Sequence, residues 1–217
     1  MALEFTPMTP RPATPVPRRL SEDQIADEPM TQFARWLDDA LGSGMPEPTA
    51  MVLSTLTAEG RPLARTVLLK AHNQAGFTFY SNRTSRKGRE LAGNPSACLV
   101  FPWYGIQRQV IAEGTVRELS QAESEPYFRS RPRPAQIGAW ASRQSTVITS
   151  RAVLDDRVAE LERRWPEPEQ VPMPDFWGGY LLEPDAVEFW QAGAFRLHDR
   201  LRYRRVDDGW AVDRLSP

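Results

Sequence analysis

Residues 50–81 have the sequence AMVLSTLTAEGRPLARTVLLKAHNQAGFTFYS. Two apolar segments, Ala50–Leu56 and Pro62–His72, flank a turn sequence at Glu59-Gly60, which together predict a β-hairpin. The run Thr66-Val67-Leu68-Leu69 is too apolar for a strand with one face in water, and Gly76–Ser81 predicts a further strand. This part of the chain is therefore expected to form antiparallel β-structure.

Helices are predicted on both sides of this stretch. Pro29 opens a segment with helical apolar spacing that Gly42 can end, Thr84-Ser85 caps a helix through Leu91, and further helices follow Ser120 and Ser150. The other predicted elements are strands at Ala97–Phe101, Gln107–Val116, Tyr180–Leu182, Val187–Trp190, Leu201–Val206 and Trp210–Leu215, a linker loop at Pro166–Pro174 and a turn at Asp208-Gly209. Strands at both ends with helices inserted between them indicate a mainly β (β+α) fold. We expect an antiparallel barrel with flanking helices rather than a doubly wound parallel sheet.

Composition divides the chain into two parts and narrows the class of protein. Residues 1–27 are rich in Pro and Arg with almost no apolar periodicity, which predicts a mobile arm before one domain over residues 28–217. The balance of 27 basic and 28 acidic residues favours neither nucleic acid nor an anionic membrane as a partner. One cysteine and two histidines argue against a disulfide framework and a metal site. With no spanning segment and no signal-peptide core, we expect a cytoplasmic protein.

Basic residues suggest two phosphate sites. Lysine occurs only at Lys70 and Lys87, and Lys87 follows Ser85-Arg86 at the start of a predicted helix, where free N–H groups and the helix dipole attract an anion. The alternative is an ordinary capped helix with solvated charges. Tyr127 and Arg131 are four residues apart and would share a helical face that holds a second phosphate. A surface helix end is the alternative there.

A third group of candidate residues lies near the C-terminus. Trp190 precedes the stretch Arg196-Leu197-His198-Asp199-Arg200, which brings an aromatic ring, two arginines and a histidine into a short segment. A lone histidine is more often structural than catalytic. Asp199 is no evidence for a catalytic pair with His198, because adjacent strand residues point to opposite faces.

The candidate segments together resemble one family. From about residue 28 onwards the chain contains, in order, Arg65-Thr-Val-Leu-Leu-Lys70, Phe79-Tyr80-Ser81-Asn82, Ser85-Arg86-Lys87, Phe101-Pro102-Trp103, Arg108-Gln109-Val110, Ser130-Arg131-Pro132-Arg133, Gln136-Ile137-Gly138-Ala139-Trp140, Gln144-Ser145, Phe176-Trp177-Gly178-Gly179, Glu188-Phe189-Trp190-Gln191 and Arg196-Leu197-His198-Asp199-Arg200. These segments are similar to those of the pyridoxine/pyridoxamine 5′-phosphate oxidases. The resemblance implies an FMN-binding, Greek-key antiparallel split β-barrel that forms a homodimer with each flavin between the two chains.

The resemblance also implies roles for individual residues. Those that would bind FMN are Arg65, Thr66, Val67, Leu68, Leu69, Lys70, Tyr80, Ser81, Arg86, Lys87, Gln109, Gln144, Ser145, Trp190 and Arg200. Those that would bind the substrate are Lys70, Tyr127 and Arg131 at its phosphate and the catalytic residues Arg196 and His198 at its pyridine ring. The implied reaction converts pyridoxamine or pyridoxine 5′-phosphate to pyridoxal 5′-phosphate by hydride transfer to the flavin, with O2 as final acceptor and H2O2 released.

The chain departs from the family at two places. Ala135 stands where the family has a serine that contacts the substrate phosphate, and residues 1–27 lack the Arg-x-x-Tyr element of the family's N-terminal arm. Both departures concern the substrate rather than the flavin. Two alternatives therefore stay open: a related flavin oxidase of secondary metabolism acting on phenazine-type precursors, and a non-catalytic flavin- or pyridoxal-phosphate-binding protein.

Overall fold

The computed structural model describes residues 19–207 and 209–217. Its helices are α1 (Pro29–Gly42), α2 (Arg86–Gly93), α3 (Gln121–Ser130), α4 (Arg133–Ala141) and α5 (Ala152–Arg164). Its strands are β1 (Ala50–Leu56), β2 (Pro62–Leu68), β3 (Ala71–Asn73), β4 (Gly76–Asn82), β5 (Ser96–Trp103), β6 (Arg108–Glu118), β7 (Trp177–Gln191), β8 (Asp199–Val206) and β9 (Gly209–Arg214). None of these helices is both long and apolar enough to span a membrane.

The strands form one curled antiparallel sheet that splits at β7. The order β2-β1-β5-β6-β7 runs along one side, and β6 pairs with almost the whole length of β7. The other edge of β7 is shared, because β4 pairs with Trp177–Leu182 and β8 pairs with Ala186–Gln191. This topology confirms the predicted antiparallel half-barrel with flanking helices.

The N-terminal hairpin is confirmed, with a difference at its second strand. β2 ends at Leu68, and the Lys70 N–H donates to Thr78 O, which brings the end of the hairpin onto β4. Of the apolar run that follows Arg65, only Leu69 is buried. Among residues 19–207 and 209–217, β2 is a terminal strand of the sheet and pairs only with β1, so no other described strand pairs with its outer edge.

Two other elements differ from the sequence-based expectation. The predicted strands Tyr180–Leu182 and Val187–Trp190 are parts of one continuous strand, β7, which carries Pro184 at a register shift opposite Glu113/Gly114. A proline can lie in a strand at such an irregularity, where its missing N–H leaves no ladder bond broken. Helix α4 was not predicted, because its prolines indicate a loop, although a proline is well tolerated in the first turn of a helix.

Two apolar cores hold these elements together. The larger core fills the curled sheet and is closed by α1, whose Phe33 is fully buried and meets the Phe77 ring edge-on at 4.8 Å. The smaller core packs the α3–α5 region against the first residue of β7 through Phe128, Ile137 and Trp177. The candidate site residues on β4, α2 and α3 lie where these two cores meet.

The folded part of the chain begins before the predicted boundary at residue 28. Leu20 and Ala26 are buried, and the Tyr203 hydroxyl donates to Ala26 O at 2.6 Å. The buried Asp199 carboxylate accepts from the Leu20 N–H at 3.1 Å and from Arg214 Nη1 at 2.8 Å. Leu20 and Ala26 thus attach residues 19–27 to the sheet, because hydrogen bonds to β8 and β9 replace the apolar periodicity that the segment lacks. Residues 1–18 of the predicted arm, and Asp208 of the predicted turn, lie outside the described residues.

Arg214 is expected to stabilise this attachment. Arg214→Met should lower the free energy of unfolding by about 2 kcal/mol, because it leaves the buried Asp199 carboxylate without its main cation. Arg202→Met is the matched control, since Arg202 pairs with Asp213 near the surface and such pairs contribute less than about 1 kcal/mol. Urea denaturation of both variants measures the difference, and equal losses would contradict the role given to Asp199.

Candidate functional site

A basic site surrounds the N-terminus of α2. Ser85 caps the helix by accepting from the Gly88 N–H at 3.2 Å, and the first turn carries no acidic side chain. Gly88 is required there, since a Cβ at this position would lie 2.1 Å from Arg83 O. We call the group formed by Arg65, Ser81, Ser85, Arg86, Lys87, Glu90 and Gln144 the α2 site.

Lys87 is the buried cation of the α2 site. Its Nζ donates to Gln144 Oε1 at 2.7 Å and to Ser81 Oγ at 3.0 Å, both of which are neutral. Burial lowers the pKa of the Lys87 ammonium, nearby Arg65 lowers that pKa further, and Glu90 raises it. A buried ammonium with only neutral hydrogen-bond partners is the arrangement that an incoming anion would stabilise.

The arginines of the α2 site are held by one carboxylate. Glu90, which is buried, accepts from Arg65 Nη2 at 2.8 Å and from Arg86 Nε at 2.9 Å. Its pKa is lowered, because hydrogen bonds from Thr55, Arg86 and Arg65 outweigh the opposing effect of burial. The cations Arg65, Arg86 and Lys87 set against Glu90 leave a surplus of two positive charges (three minus one), which matches a phosphate dianion.

A stack of aromatic rings adjoins the α2 site across β4. Tyr80 stacks on Tyr127 with ring centroids 4.0 Å apart and on Trp177 with centroids 5.3 Å apart. Arg131, just beyond the end of α3, lies with its guanidinium 4.9 Å from the Trp177 ring centroid. Its Nη1 is buried and has no hydrogen-bond partner in the described part of the chain, and burial lowers the pKa of the guanidinium. A buried guanidinium nitrogen without an acceptor is a second position suited to an anion.

The C-terminal candidates form a third group. Gln109, Trp190 and Arg200 are register partners on β6, β7 and β8, so their side chains share one face of the sheet. Arg200 forms a bidentate ion pair with Glu188, with distances of 2.8 and 3.0 Å. His198 packs on the Trp190 ring at 4.6 Å, whereas Arg196 is exposed.

The aromatic stack and the C-terminal group lie near opposite ends of β7. Tyr80 pairs with Gly179, whereas Gln109 and Arg200 pair with Trp190, up to about 36 Å further along the strand at roughly 3.3 Å per residue. Among residues 19–207 and 209–217, no hydrogen bond or ring contact joins the C-terminal group to the α2 site or to the aromatic stack.

The structure brings some of the predicted site residues together and leaves others apart. Lys70 is exposed at the end of the hairpin, where its backbone N–H donates to Thr78 O. Ser145 is exposed with a left-handed φ of 70°, and Thr66 is exposed on β2. Glu90 and Trp177 belong to the site but were not predicted to do so. An acidic residue four positions after Arg86 on a helix was the available signal for Glu90.

Two family models match the chain. Residues 37–164 match the family model described as pyridoxamine 5′-phosphate oxidase. Residues 177–217 match the model described as the C-terminal dimerisation region of pyridoxine 5′-phosphate oxidase. The second match contains Trp190, Arg196, His198 and Arg200 of the C-terminal group, whereas Gln109 lies in the first match.

Individual relatives cover nearly the whole chain. A pyridoxine/pyridoxamine 5′-phosphate oxidase of Frankia alni is 59% identical over 92% of this chain and 84% of its own length. The protein of the same name from Acidothermus cellulolyticus is 54% identical over 91% of this chain and 90% of its own length. Among solved structures, PhzG from Burkholderia lata 383, in complex with tetrahydrophenazine-1-carboxylic acid, is 34% identical with a TM-score of 0.84, covering 90% of this chain and 95% of that chain. The chain thus belongs to the pyridoxine/pyridoxamine 5′-phosphate oxidase family.

Proposed function

We propose that this protein oxidises pyridoxamine 5′-phosphate or pyridoxine 5′-phosphate to pyridoxal 5′-phosphate, using FMN and O2 and releasing H2O2. The observation that carries the proposal is the presence of two separate cations, the buried Lys87 and the half-buried Arg131, that have no carboxylate as a hydrogen-bond partner among the described residues. One phosphate belongs to the cofactor and the other to the substrate. A pair of sites that each accept a phosphate is what this reaction requires.

The α2 site suits the phosphate of FMN. Its surplus of two positive charges, the cap of α2 and the buried Lys87 fit a dianion. At the outer edge of β2, which no other described strand pairs with, backbone N–H and C=O groups between Arg65 and Lys70 are available to form hydrogen bonds with the isoalloxazine ring. When bound, FMN supplies the hydride acceptor and passes the electrons to O2. The protein residues bind and orient FMN and the substrate, and the reaction needs no further redox group from the chain.

A homodimer with the flavin between the chains is part of the proposal, and the separation along β7 supports it. In this proposal Gln109, Trp190 and Arg200 of one chain complete the flavin site at the α2 site of its partner, because the two groups of one chain lie near opposite ends of a long strand. Phe195 and Leu197 beside the C-terminal group are 94% and 67% exposed, which is typical of a surface that a second copy covers.

The substrate is proposed to lie between the aromatic stack of one chain and the C-terminal group of its partner. Arg131 and Tyr127 bind its phosphate, Lys70 reaches the phosphate from the end of the hairpin, and Arg196 and His198 orient its pyridine ring. Orientation is the main contribution of these residues, because hydride transfer requires the substrate carbon to lie close to the flavin. The single cysteine, Cys98, is free, and a cytoplasmic location is part of the proposal.

A turnover assay tests the proposal. Purified protein should carry about one FMN per chain, behave as a dimer, and convert pyridoxamine 5′-phosphate in air to the aldehyde with one H2O2 for each aldehyde. Colourless, monomeric protein that does not bind added FMN would contradict the proposal. A dimer that binds FMN and pyridoxal 5′-phosphate but turns over neither substrate would instead be a non-catalytic binding protein.

A second candidate is an oxidase of reduced phenazine precursors, favoured by the similarity to PhzG from Burkholderia lata. Arg131 by itself does not discriminate between the two functions, since its Nη1 can donate either to a phosphate or to the carboxylate of a phenazine precursor. Competing pyridoxamine 5′-phosphate against a dihydrophenazine carboxylate in one assay identifies the preferred substrate.

Ala135 lies in the first turn of α4, four residues after Arg131. If Arg131 binds the substrate phosphate, Ala135→Ser adds a hydroxyl that can donate to it. We expect pyridoxal 5′-phosphate to bind about fivefold more tightly, a gain of about 1 kcal/mol after a bound water is displaced. Titration of pyridoxal and pyridoxal 5′-phosphate into both proteins measures this gain. Equal gains for the two ligands would place the new hydroxyl away from the phosphate.

A further inference from the structure

The loop between β7 and β8 folds tightly around one glycine. Phe195 and Arg196 have left-handed φ values of 56° and 64°, which non-glycine residues adopt at a cost. The Leu197 N–H donates to Ala194 O at 3.0 Å. These bends return the chain to Gly193, where a Cβ would lie 1.9 Å from Leu197 O. Only glycine allows this close approach.

The same close approach gives His198 a specific partner. The Gly193 N–H donates to His198 Nδ1 at 3.2 Å, and the Trp190 ring packs on the imidazole at 4.6 Å. In the described part of the chain, Nε2 has no hydrogen-bond partner, and the side chain is only partly buried. The loop thus holds the Nδ1 edge of the imidazole, and the Nε2 edge is available to a ligand.

A backbone N–H can only donate, so Nδ1 must keep its lone pair, and the single proton of a neutral imidazole must be on Nε2. We propose that Gly193 is a positioning residue that fixes His198 as the Nε2–H tautomer. His198 then donates a hydrogen bond to an acceptor atom of the ligand and does not remove a proton from it. The part of this inference that concerns the ligand rests on the proposed function.

Nitrogen NMR of the histidine side chains tests the tautomer directly. The full-length protein labelled with [15N]histidine has only His72 and His198 to observe, and His72→Gln assigns the remaining signals. At about pH 8, well above the ordinary histidine pKa, we expect His198 to show a pyridine-type Nδ1 and a pyrrole-type Nε2. A pyrrole-type Nδ1, or signals averaged between the two tautomers, would overturn the proposal.

Glycine variants test the role of the loop. Gly193→Ala should shift the His198 signals towards an average of the tautomers, because the added Cβ forces the backbone away from Leu197. Gly42→Ala is the matched control, since a Cβ at Gly42 meets no atom within 4 Å and should leave the signals unchanged. Unchanged His198 signals in Gly193→Ala would show that another group sets the tautomer.

Two substitutions of His198 test the donor role with substrate present. Glutamine can place an amide N–H near the position of Nε2, whereas asparagine reaches only the position of Nδ1. His198→Gln should therefore retain at least tenfold more kcat/KM for pyridoxamine 5′-phosphate than His198→Asn. The reverse order would overturn the donor role. Wild-type protein without any turnover would instead contradict the proposed function, while the NMR result would still decide the tautomer.

Discussion

Lys87→Met is expected to weaken FMN binding by about 2 to 3 kcal/mol, or roughly 30- to 150-fold. Lys87 is buried and its Nζ contacts only neutral oxygens, so a bound phosphate would be its strongest partner. Methionine keeps much of the side-chain volume. The fold should therefore survive, since the variant removes a desolvated charge rather than an apolar contact. Titration of the apoprotein with FMN, followed by quenching of flavin fluorescence, measures the loss.

Riboflavin and Arg89 supply the controls for this prediction. Riboflavin lacks the phosphate, so Lys87→Met should change its affinity little. Arg89 is on the same helix but is exposed and donates to Thr84 O, away from Lys87, so Arg89→Met should bind FMN as the wild type does. Equal losses for FMN and riboflavin would mean that Lys87 supports the shape of the site and not the phosphate.

The fold was predictable where the sequence pattern is local. The hairpin of β1 and β2, the strand β4 and the capped helix α2 follow from alternation, turn residues and a serine N-cap. The continuity of β7 could not be predicted, because a proline such as Pro184 usually indicates the end of a strand. Only the pairing with β6 shows that the strand continues past it. The attachment of residues 19–27 depends on Asp199 and Arg214, which are far away in the sequence.

The site was predictable to a similar extent. Arg86 and Lys87 were identified by their position at the start of a helix, and the pair Tyr127 and Arg131 by helical spacing, although α3 ends at Ser130 and Arg131 follows it. Arg65 was assigned only through the family resemblance. Glu90 was missed because an acidic residue is not expected beside a phosphate site, although its carboxylate holds both arginines. The contact between Gly193 and His198 depends on two left-handed residues, which no local sequence pattern indicates.

Arg131→Met is expected to weaken pyridoxal 5′-phosphate binding by about 3 kcal/mol, or roughly 150-fold, while FMN affinity stays the same. The Arg131 Nη1 is buried without a partner, so a substrate phosphate would complete its hydrogen bonds. The free energy of unfolding without ligand should not fall, because methionine packs on Trp177 without an unsatisfied donor. Arg129→Met is the matched control, since Arg129 is exposed and already pairs with Glu125 at 2.6 Å. A loss of pyridoxal 5′-phosphate affinity in Arg129→Met and none in Arg131→Met would move the phosphate to the outer face of α3. The unpartnered Arg131 would then no longer favour a phosphorylated substrate.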